Sequence, residues 1–177
     1  MSLYFEGFLA FDLKPQTPQV VIDALSYMVA TNDHQFNNPP RHPFFEVEGW
    51  RQFLDVQSRQ SDQPGFMGSQ LGEVHRPDRH GLNLPRLTLS FRRVMHDDVE
   101  FYVLWWRFLD WIAPCVETEG FIGYYRETYS LHPVTIYMRD GELFAFEVTG
   151  MPKTSSGRLW PGHPNNVQPG WLRDIPS

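Results

Sequence analysis

The alternation of hydrophobic and polar positions is clearest between residues 86 and 148, where it predicts one strand, one helix and three further strands. Residues 86–93 alternate with a period of two and place their apolar side chains on one face, which is typical of a half-buried β-strand. Residues 120–127 follow the helix and form the next predicted strand. This part of the chain therefore contains most of one predicted sheet.

A tight hairpin is predicted at the end of this part. Residues 134–139 and 142–148 alternate on either side of Asp140 and Gly141. An Asp-Gly pair between alternating runs indicates a two-residue turn, because both turn residues adopt positive φ. The predicted register pairs Ile136 with Ala145, Met138 with Leu143 and Tyr137 with Phe144.

The helix predicted over residues 98–113 is apolar around most of its circumference. Asp97 is the predicted N-cap, acidic residues suit the first turn, and Pro114 ends the helix because proline lacks the next amide hydrogen. The polar positions, which share one narrow side, are Glu100, Arg107 and Asp110. We therefore expect the helix to be covered by the sheet and by a further element of this chain or of a second copy. We favour core packing over a pocket or interface for its three tryptophans, which are Trp105, Trp106 and Trp111.

The beginning of the chain predicts a strand followed by a helix. Residues 4–13 form the strand, and its inward side chains are Phe5, Leu9, Phe11 and Leu13. Thr17 as cap and Pro18 as the first helical residue begin the helix. Apolar residues then recur at helical spacing, and the helix is predicted to end near residues 31–33.

Three parts of the chain have open interpretations. Residues 44–56 suit either a short strand or a helical segment. Residues 57–85 are polar and contain glycine, so they either include a strand of poor propensity or form a long loop, and long loops are often functional. Residues 151–177 are rich in proline and glycine but also apolar, so we expect an arm that packs on its own domain or on a partner subunit.

The order of elements predicts an α+β fold, with an antiparallel sheet and two main helices packed on one face. The best match is a ferredoxin-like variant, in which two split β-α-β halves carry an added hairpin and the proline-rich C-terminal arm. We expect residues 1–150 to form a single domain, which a chain of 177 residues allows, with residues 151–177 as the arm.

The composition narrows the classes of function. The formal net charge is −6 and no basic run is present, which argues against nucleic-acid binding. A single cysteine excludes an internal disulfide, and we find no apolar run long enough to span a membrane and no signal-peptide pattern. We find no glycine-rich phosphate loop, nucleophile elbow or metalloprotease helix in the sequence. We therefore expect a cytoplasmic protein that uses no cofactor and binds neither nucleic acid nor membrane.

Two groups of residues are candidate metal or acid–base sites. His75, Asp78 and His80 offer two imidazoles and a carboxylate, which are ligands for zinc or another divalent ion. The spacing matches no known metal template and arginines lie between them, so a solvated loop is the interpretation we favour. Asp97 and Asp98 resemble an acid–base pair but are better explained as residues that begin the helix.

Tyr124, Arg126 and Tyr129 form a candidate ligand site near the end of the strand 120–127. An arginine beside tyrosine hydroxyls suits an anionic ligand. Strand alternation places Tyr125 and Arg126 on opposite faces, which weakens the cluster, and a surface role for Arg126 is the alternative. Cys115 follows the C-terminal end of a helix, where a thiolate is disfavoured, so we predict a packed thiol.

Three segments resemble a set of small bacterial proteins of unknown function. The segments are FLDWIAP at residues 108–114, GFIGYYRE at 120–127 and HPVTIY at 132–137. Residues 8–28 also resemble the corresponding part of those proteins, so the resemblance covers about half of the chain. It implies bacterial origin and assigns no role to any residue.

Two classes of function fit these patterns. The first is a non-enzymatic binding domain, an accessory or immunity-like protein that binds a protein partner or forms a homodimer. Abundant aromatic residues without a catalytic constellation favour it. The second is a small-molecule or metal-assisted enzyme whose site the residues 57–85 form over the sheet, and it requires His75, Asp78 and His80 to converge.

Overall fold

A computed structural model describes residues 3–29, 36, 38–55, 68–77, 82–130 and 132–148. The described strands are β1 (Tyr4–Asp12), β2 (Gly68–Pro77), β3 (Asn83–His96), β4 (Gly120–Glu127), β5 (Val134–Arg139) and β6 (Glu142–Glu147). The described helices are α1 (Gln19–Val29) and α2 (Trp106–Ile112), with a π-helical segment Glu100–Trp105 leading into α2 and short 3₁₀ turns at Pro43–Glu46, Trp50–Gln52 and Ala113–Cys115. The predicted arm, residues 151–177, and the predicted end of α1 lie outside the described residues.

The six strands form one antiparallel sheet in the order β2-β3-β1-β4-β5-β6. Because β1 pairs antiparallel with both β3 and β4, those two strands run parallel to each other on either side of it. The predicted α+β class is therefore confirmed. The order of the six strands is not that of a classic ferredoxin fold, since the hairpin of β5 and β6 extends the sheet beyond β4.

The inner face of the sheet carries the hydrophobic core. Along β1 every second side chain points into it, and Phe5, Leu9 and Phe11 are buried as the alternation predicted. Buried side chains of α1, α2 and the 3₁₀ turns belong to the same core. Burial of each large apolar side chain contributes about 1.5–3 kcal/mol, so this core is a major source of stabilisation.

The helical layer approaches the sheet closely at Gly7. Trp105 is fully buried, and a Cβ atom added to Gly7 would lie 2.6 Å from Cζ3 of the Trp105 ring and 2.7 Å from the terminal methyl of Met95. An indole ring is rigid and cannot move aside as a methionine can. The absence of a side chain at Gly7 therefore sets how closely the tryptophan packs on β1.

The helix that was predicted over residues 98–113 differs from expectation at its start. Asp98, not Asp97, caps it, since the Asp98 carboxylate accepts a hydrogen bond from Glu100 N at 2.9 Å. The Asp97 carboxylate instead accepts from Leu3 N at 3.1 Å. The exposed side is also wider than predicted, because Tyr102 is 58% exposed. Trp105 and Trp111 are buried as expected, while Trp106 is only partly buried.

Arg93 connects the sheet to the start of this helix from within the core. It is buried on the inner face of β3, donates to the carbonyl oxygen of Phe53 and lies 5.0 Å from the centre of the Phe53 ring. Its Nη2 also donates to Glu100 Oε1 at 3.1 Å. A buried arginine is stable only when paired in this way.

The structure resolves two of the open interpretations. The polar stretch 57–85 contains a strand, β2, which pairs with β3 over ten residue pairs. The stretch 44–56 contains 3₁₀ turns and, among its described residues, no strand. The hairpin has the predicted register, with Ile136 opposite Ala145, and positive φ at Asp140 and Gly141.

The packing at Gly7 gives a stability prediction. We expect Gly7→Ala to lower the free energy of unfolding by about 1–3 kcal/mol, because the added methyl overpacks a rigid, buried ring. Urea denaturation of the variant and the wild type measures this difference.

Gly72→Ala is the matched control, since Gly72 also lies in a strand but a Cβ there would meet only the Gln70 side chain at 3.7 Å. That change should stay within about 0.5 kcal/mol of the wild type. Equal stabilities of the two variants would contradict the role given to Gly7.

Candidate ligand site on the open face of the sheet

The outer face of the sheet, opposite the core, carries the polar side chains of the central strands. On β1 these include Glu6 and Phe8, which alternate with the buried residues. Phe8 pairs with Arg92 on β3 and with Tyr124 on β4, and Glu6 pairs with Arg126 on β4. Residues from three strands therefore meet around Glu6.

The Glu6 carboxylate lies between two guanidinium groups although it is only 4% exposed. Its Oε1 accepts from Arg92 Nε at 2.7 Å and from the Tyr124 hydroxyl at 3.0 Å. Its Oε2 accepts from Arg126 Nε at 2.9 Å, and Arg126 Nη2 is 2.8 Å away. Charge-assisted hydrogen bonds of this kind are about twice as strong as neutral ones.

Burial and hydrogen bonding act in opposite directions on Glu6. Burial by itself raises its pKa, but the hydrogen bonds from Arg92, Arg126 and Tyr124 and the charge of Arg92 outweigh it, so the pKa lies below 4.5. Burial raises the pKa of Tyr124. The hydrogen bond from Tyr124 to Glu6 and the negative charge of Glu6 raise that pKa further. Glu6 is therefore ionised and Tyr124 protonated at neutral pH.

A concavity of about 370 Å³ lies beside this cluster. Its lining residues are Phe8, Gly68, Ser69, Gln70, Ser90, Phe91, Arg92 and Tyr124. The rings of Phe8 and Tyr124 are 5.8 Å apart, centre to centre, and form one aromatic wall. A volume of this size is within the range of small-molecule sites.

Gly123 allows β4 to approach β1 closely enough for these contacts. A Cβ atom there would lie 2.0 Å from the carbonyl oxygen of Phe8, so any other residue would separate the strands. The neighbouring Tyr124 would then lose its position over Glu6. The second glycine of the GFIGYYRE segment is thus required by the geometry of this site.

A second polar group continues the outer face toward the end of β1. The Thr88 hydroxyl donates to Asp12 Oδ1 at 2.6 Å, and Arg76 Nη2 lies 3.7 Å from the same oxygen. Arg86 and Glu117 form a further ion pair. These groups neutralise one another and lie outside the concavity.

The structure brings together two of the three residues of the candidate ligand site. Tyr124 and Arg126 converge on Glu6, whereas Tyr129 lies in the turn after β4 and is 72% exposed. Glu6 and Arg92 were not predicted as site residues from the sequence. Alternation along β1 and β3 places both on polar faces, but which polar faces meet depends on the strand order.

The candidate metal residues do not form a described site. His75 lies on β2, and its Nε2 is 3.4 Å from a carboxylate oxygen of Glu73. Asp78 and His80 lie outside the described residues. Among the residues that the structure describes, no group of three or more His, Cys, Asp or Glu side chains is placed to hold a metal ion.

The helical side has a concavity of about 790 Å³ lined by carboxylates and arginines, among them Glu46, Glu48, Asp98, Arg51 and Arg93. Two of its members have structural roles, since Asp98 caps the helix and Arg93 lies in the core. Its lining has four carboxylates and two arginines, and no three of its described carboxylates are placed to hold a metal ion.

Cys115 is a partly buried thiol, as predicted. Burial raises its pKa, and the charge of Lys14 and a hydrogen bond with Thr17 offset only part of that effect. The thiol is therefore protonated at neutral pH and a poor nucleophile.

Comparisons of the chain with family models, with curated proteins and with solved structures find no match. The resemblance to small bacterial proteins therefore stays a prediction. None of the described helices is both long and apolar enough to cross a lipid bilayer.

The charge network predicts the effect of replacing Glu6. We expect Glu6→Gln to lower the free energy of unfolding at pH 7 by about 1–3 kcal/mol. Loss of one partner from a buried pair costs about 3–5 kcal/mol, and the partial exposure of the arginines reduces that figure. Urea denaturation across a pH series measures the effect.

The pH dependence has a defined sign. The folded pKa of Glu6 lies below the unfolded value of 4.5, so its stabilisation is fully present above pH 4.5 and is lost as the pH falls through the folded pKa. The difference between wild type and Glu6→Gln should therefore shrink below pH 4.5. Glu142→Gln, at an exposed position on β6, is the control and should change stability by less than about 0.5 kcal/mol. A difference that persists unchanged at low pH would contradict this account.

Proposed function

We propose that this protein is a non-enzymatic binding domain whose open sheet face holds a small anionic molecule with an apolar, planar body. The observation that carries the proposal is the convergence of Arg92, Arg126 and Tyr124 on one carboxylate beside a concavity of about 370 Å³. Two guanidinium groups share a single negative charge, so the cluster has a net charge of +1 in a protein with a formal net charge of −6.

The anionic group of the ligand would pair with Arg92. The Arg92 side chain is 33% exposed and that of Arg126 is 45% exposed, so both guanidinium groups remain accessible to solvent while bound to Glu6. Their bonds to Glu6 use Nε and Nη2. A guanidinium group carries five donor hydrogens in a fixed plane, so donors remain for a carboxylate or phosphate.

Glu6 gives the site selectivity. Its carboxylate holds both guanidinium groups in place before a ligand arrives, which reduces the entropy lost on binding. It also reduces the positive charge of the site from +2 to +1, because the arginines share its one negative charge. A ligand with a single anionic group therefore fits the charge better than a polyphosphate.

The rest of the concavity favours a planar apolar body. Phe8 and Tyr124 supply the aromatic wall, against which a planar ring stacks favourably. Gln70 and Ser90 pair across β2 and β3 and add an amide and a hydroxyl for polar substituents. Apolar walls with a few placed polar groups are typical of small-molecule sites.

Other parts of the proposal rest on the sequence. We propose that β2-β3-β1-β4 with α1 and α2 forms a ferredoxin-like variant with an added hairpin, since each helical connection joins parallel strands separated by one other strand. A cytoplasmic location, bacterial origin and an accessory or immunity-like role are proposed on the same basis. The metal-assisted enzyme is not favoured by any contact in the described part of the chain.

Binding of simple aromatic anions tests the proposal. We expect benzoate and phenyl phosphate to bind the wild type in a titration followed by backbone amide chemical shifts, with changes at β1, β2, β3 and β4. Benzamide, which is neutral and of similar shape, should bind more weakly. Arg92→Gln should weaken binding of both anions at least about tenfold, since a hydrogen bond to a charged group contributes about 1.5–3 kcal/mol.

Arg139→Gln is the matched control, because Arg139 lies at the end of β5 in an ion pair with Asp140 and outside the concavity. It should change the affinity by less than about twofold. Equal weakening by the two substitutions would indicate that only the overall charge of the protein matters. Equal binding of benzoate and benzamide would overturn the anionic site.

A further inference from the structure

The outer face of β4, β5 and β6 carries a second feature, a cluster of four aromatic rings that is separate from the anionic site. We call it the aromatic surface, and its members are Phe121, Tyr137, Phe144 and Phe146. Adjacent ring centres lie 5.7–6.3 Å apart, and Phe144 and Phe146 are stacked. Phe121 is 48% exposed and Phe144 is 37% exposed.

Strand pairing shows that this surface is continuous and lies on the side away from the core. Tyr137 pairs with Phe121 on one side and with Phe144 on the other. Its neighbours in sequence, Ile136 and Met138, are buried in the core, so Tyr137 points outward. Contiguous apolar surface of this kind usually marks a contact with another segment or molecule.

We propose that residues 149–177 of the same chain cover the aromatic surface. The chain leaves the sheet at the end of β6, the edge strand that carries two of the four rings. Val148 N donates to Pro133 O at 3.0 Å, so the chain is still attached to the sheet where the segment begins. The segment therefore starts beside the surface that it would cover.

The length of the segment is sufficient. Residues 149–177 comprise 29 residues, and an extended chain spans about 3.3 Å per residue. Three neighbouring strands are only about 10 Å across from first to last, because strands lie about 4.8 Å apart. The segment can therefore cross β6, β5 and β4 and return without strain.

The composition of the segment fits an aromatic surface. Its apolar residues are Leu159, Trp160, Val167, Trp171, Leu172 and Ile175. Two tryptophans in a segment otherwise rich in proline and glycine would be costly to leave in water. Proline also suits a segment that lies across strands, since it needs no partner for a backbone amide.

The charges are complementary as well. Residues 149–177 contain three basic residues and one acidic residue, which gives +2. The whole chain carries −6, so residues 1–148 carry −8. Two acidic residues also border the aromatic surface, with one basic residue, Arg139, between them. Glu142 lies on the same face of β6 as Phe144 and Phe146, and Asp140 lies in the adjoining turn. Attraction between the segment and the domain favours a contact within one chain.

Limited digestion of the intact protein with trypsin tests the proposal, because Lys153 and Arg158 provide cleavage sites inside the segment. We expect cleavage after Arg158 to be at least about tenfold slower in the wild-type chain than in a synthetic peptide of residues 149–177, as mass spectrometry would measure. Equal rates would overturn the proposal whatever the variants show.

Substitutions then locate the covered surface. Phe144→Ser and Phe121→Ser, each on a different strand, should raise the rate of cleavage after Arg158 severalfold toward that of the peptide. Tyr102→Ser, at an exposed aromatic residue on the helical side, is the matched control and should leave the rate unchanged. Far-ultraviolet circular dichroism checks that each variant is folded. Protection that survives both serine substitutions in folded protein would place the segment elsewhere.

A second copy of the chain is the other possible occupant, and dilution distinguishes it. Protection within one chain is independent of protein concentration, and light scattering should show a monomer. A dimer whose protection decreases on dilution would overturn the proposal. Arg92→Gln should leave the cleavage rate unchanged, so failure here and failure of the anionic site are separable outcomes.

Discussion

The contact between Trp105 and Gly7 determines how the two layers of this protein fit together. The indole is fully buried, and the missing side chain at Gly7 allows it to lie directly on β1. An interior of this kind is packed as tightly as an organic crystal, so adding or removing one methyl group changes the stability of the fold. Other side chains of the helix, among them Leu104 and Phe108, are buried in the same core.

The same strand that receives the tryptophan also organises the opposite face. Period-two alternation places Gly7 inward and its neighbours, Glu6 and Phe8, outward. No described helix packs on that face, so Glu6 is shielded by the arginines and the tyrosine of the flanking strands. The central position of β1 in the sheet makes this shielding possible, since an edge strand would offer partners on one side only.

The sequence predicted those features that depend on neighbouring residues along the chain. The hairpin register followed from the Asp140-Gly141 turn between two alternating runs, and the alternation of β1 and β3 identified their buried faces. The prediction of β2 remained uncertain because its residues are polar. Its pairing with β3 cannot be read from the residues of β2 themselves. Likewise the sequence identified Arg126 as a candidate ligand-binding residue. Its partner Glu6 is 120 residues away, and only the strand order shows that the two residues are neighbours.

The outer face of the sheet has two regions, the charged anionic site and the aromatic surface, and Tyr124 lies at the boundary between them. Its hydroxyl contacts Glu6 and its ring lies beside Phe8 in the anionic site. On the other side it pairs with Thr135, which in turn pairs with Phe146 of the aromatic surface. A segment covering β4 to β6 would therefore end next to the concavity without filling it. The ligand proposed for the concavity and the segment proposed for the aromatic surface can occupy one sheet face together, because the concavity lies over β2, β3 and β1, the aromatic surface lies on β5 and β6, and they share only β4.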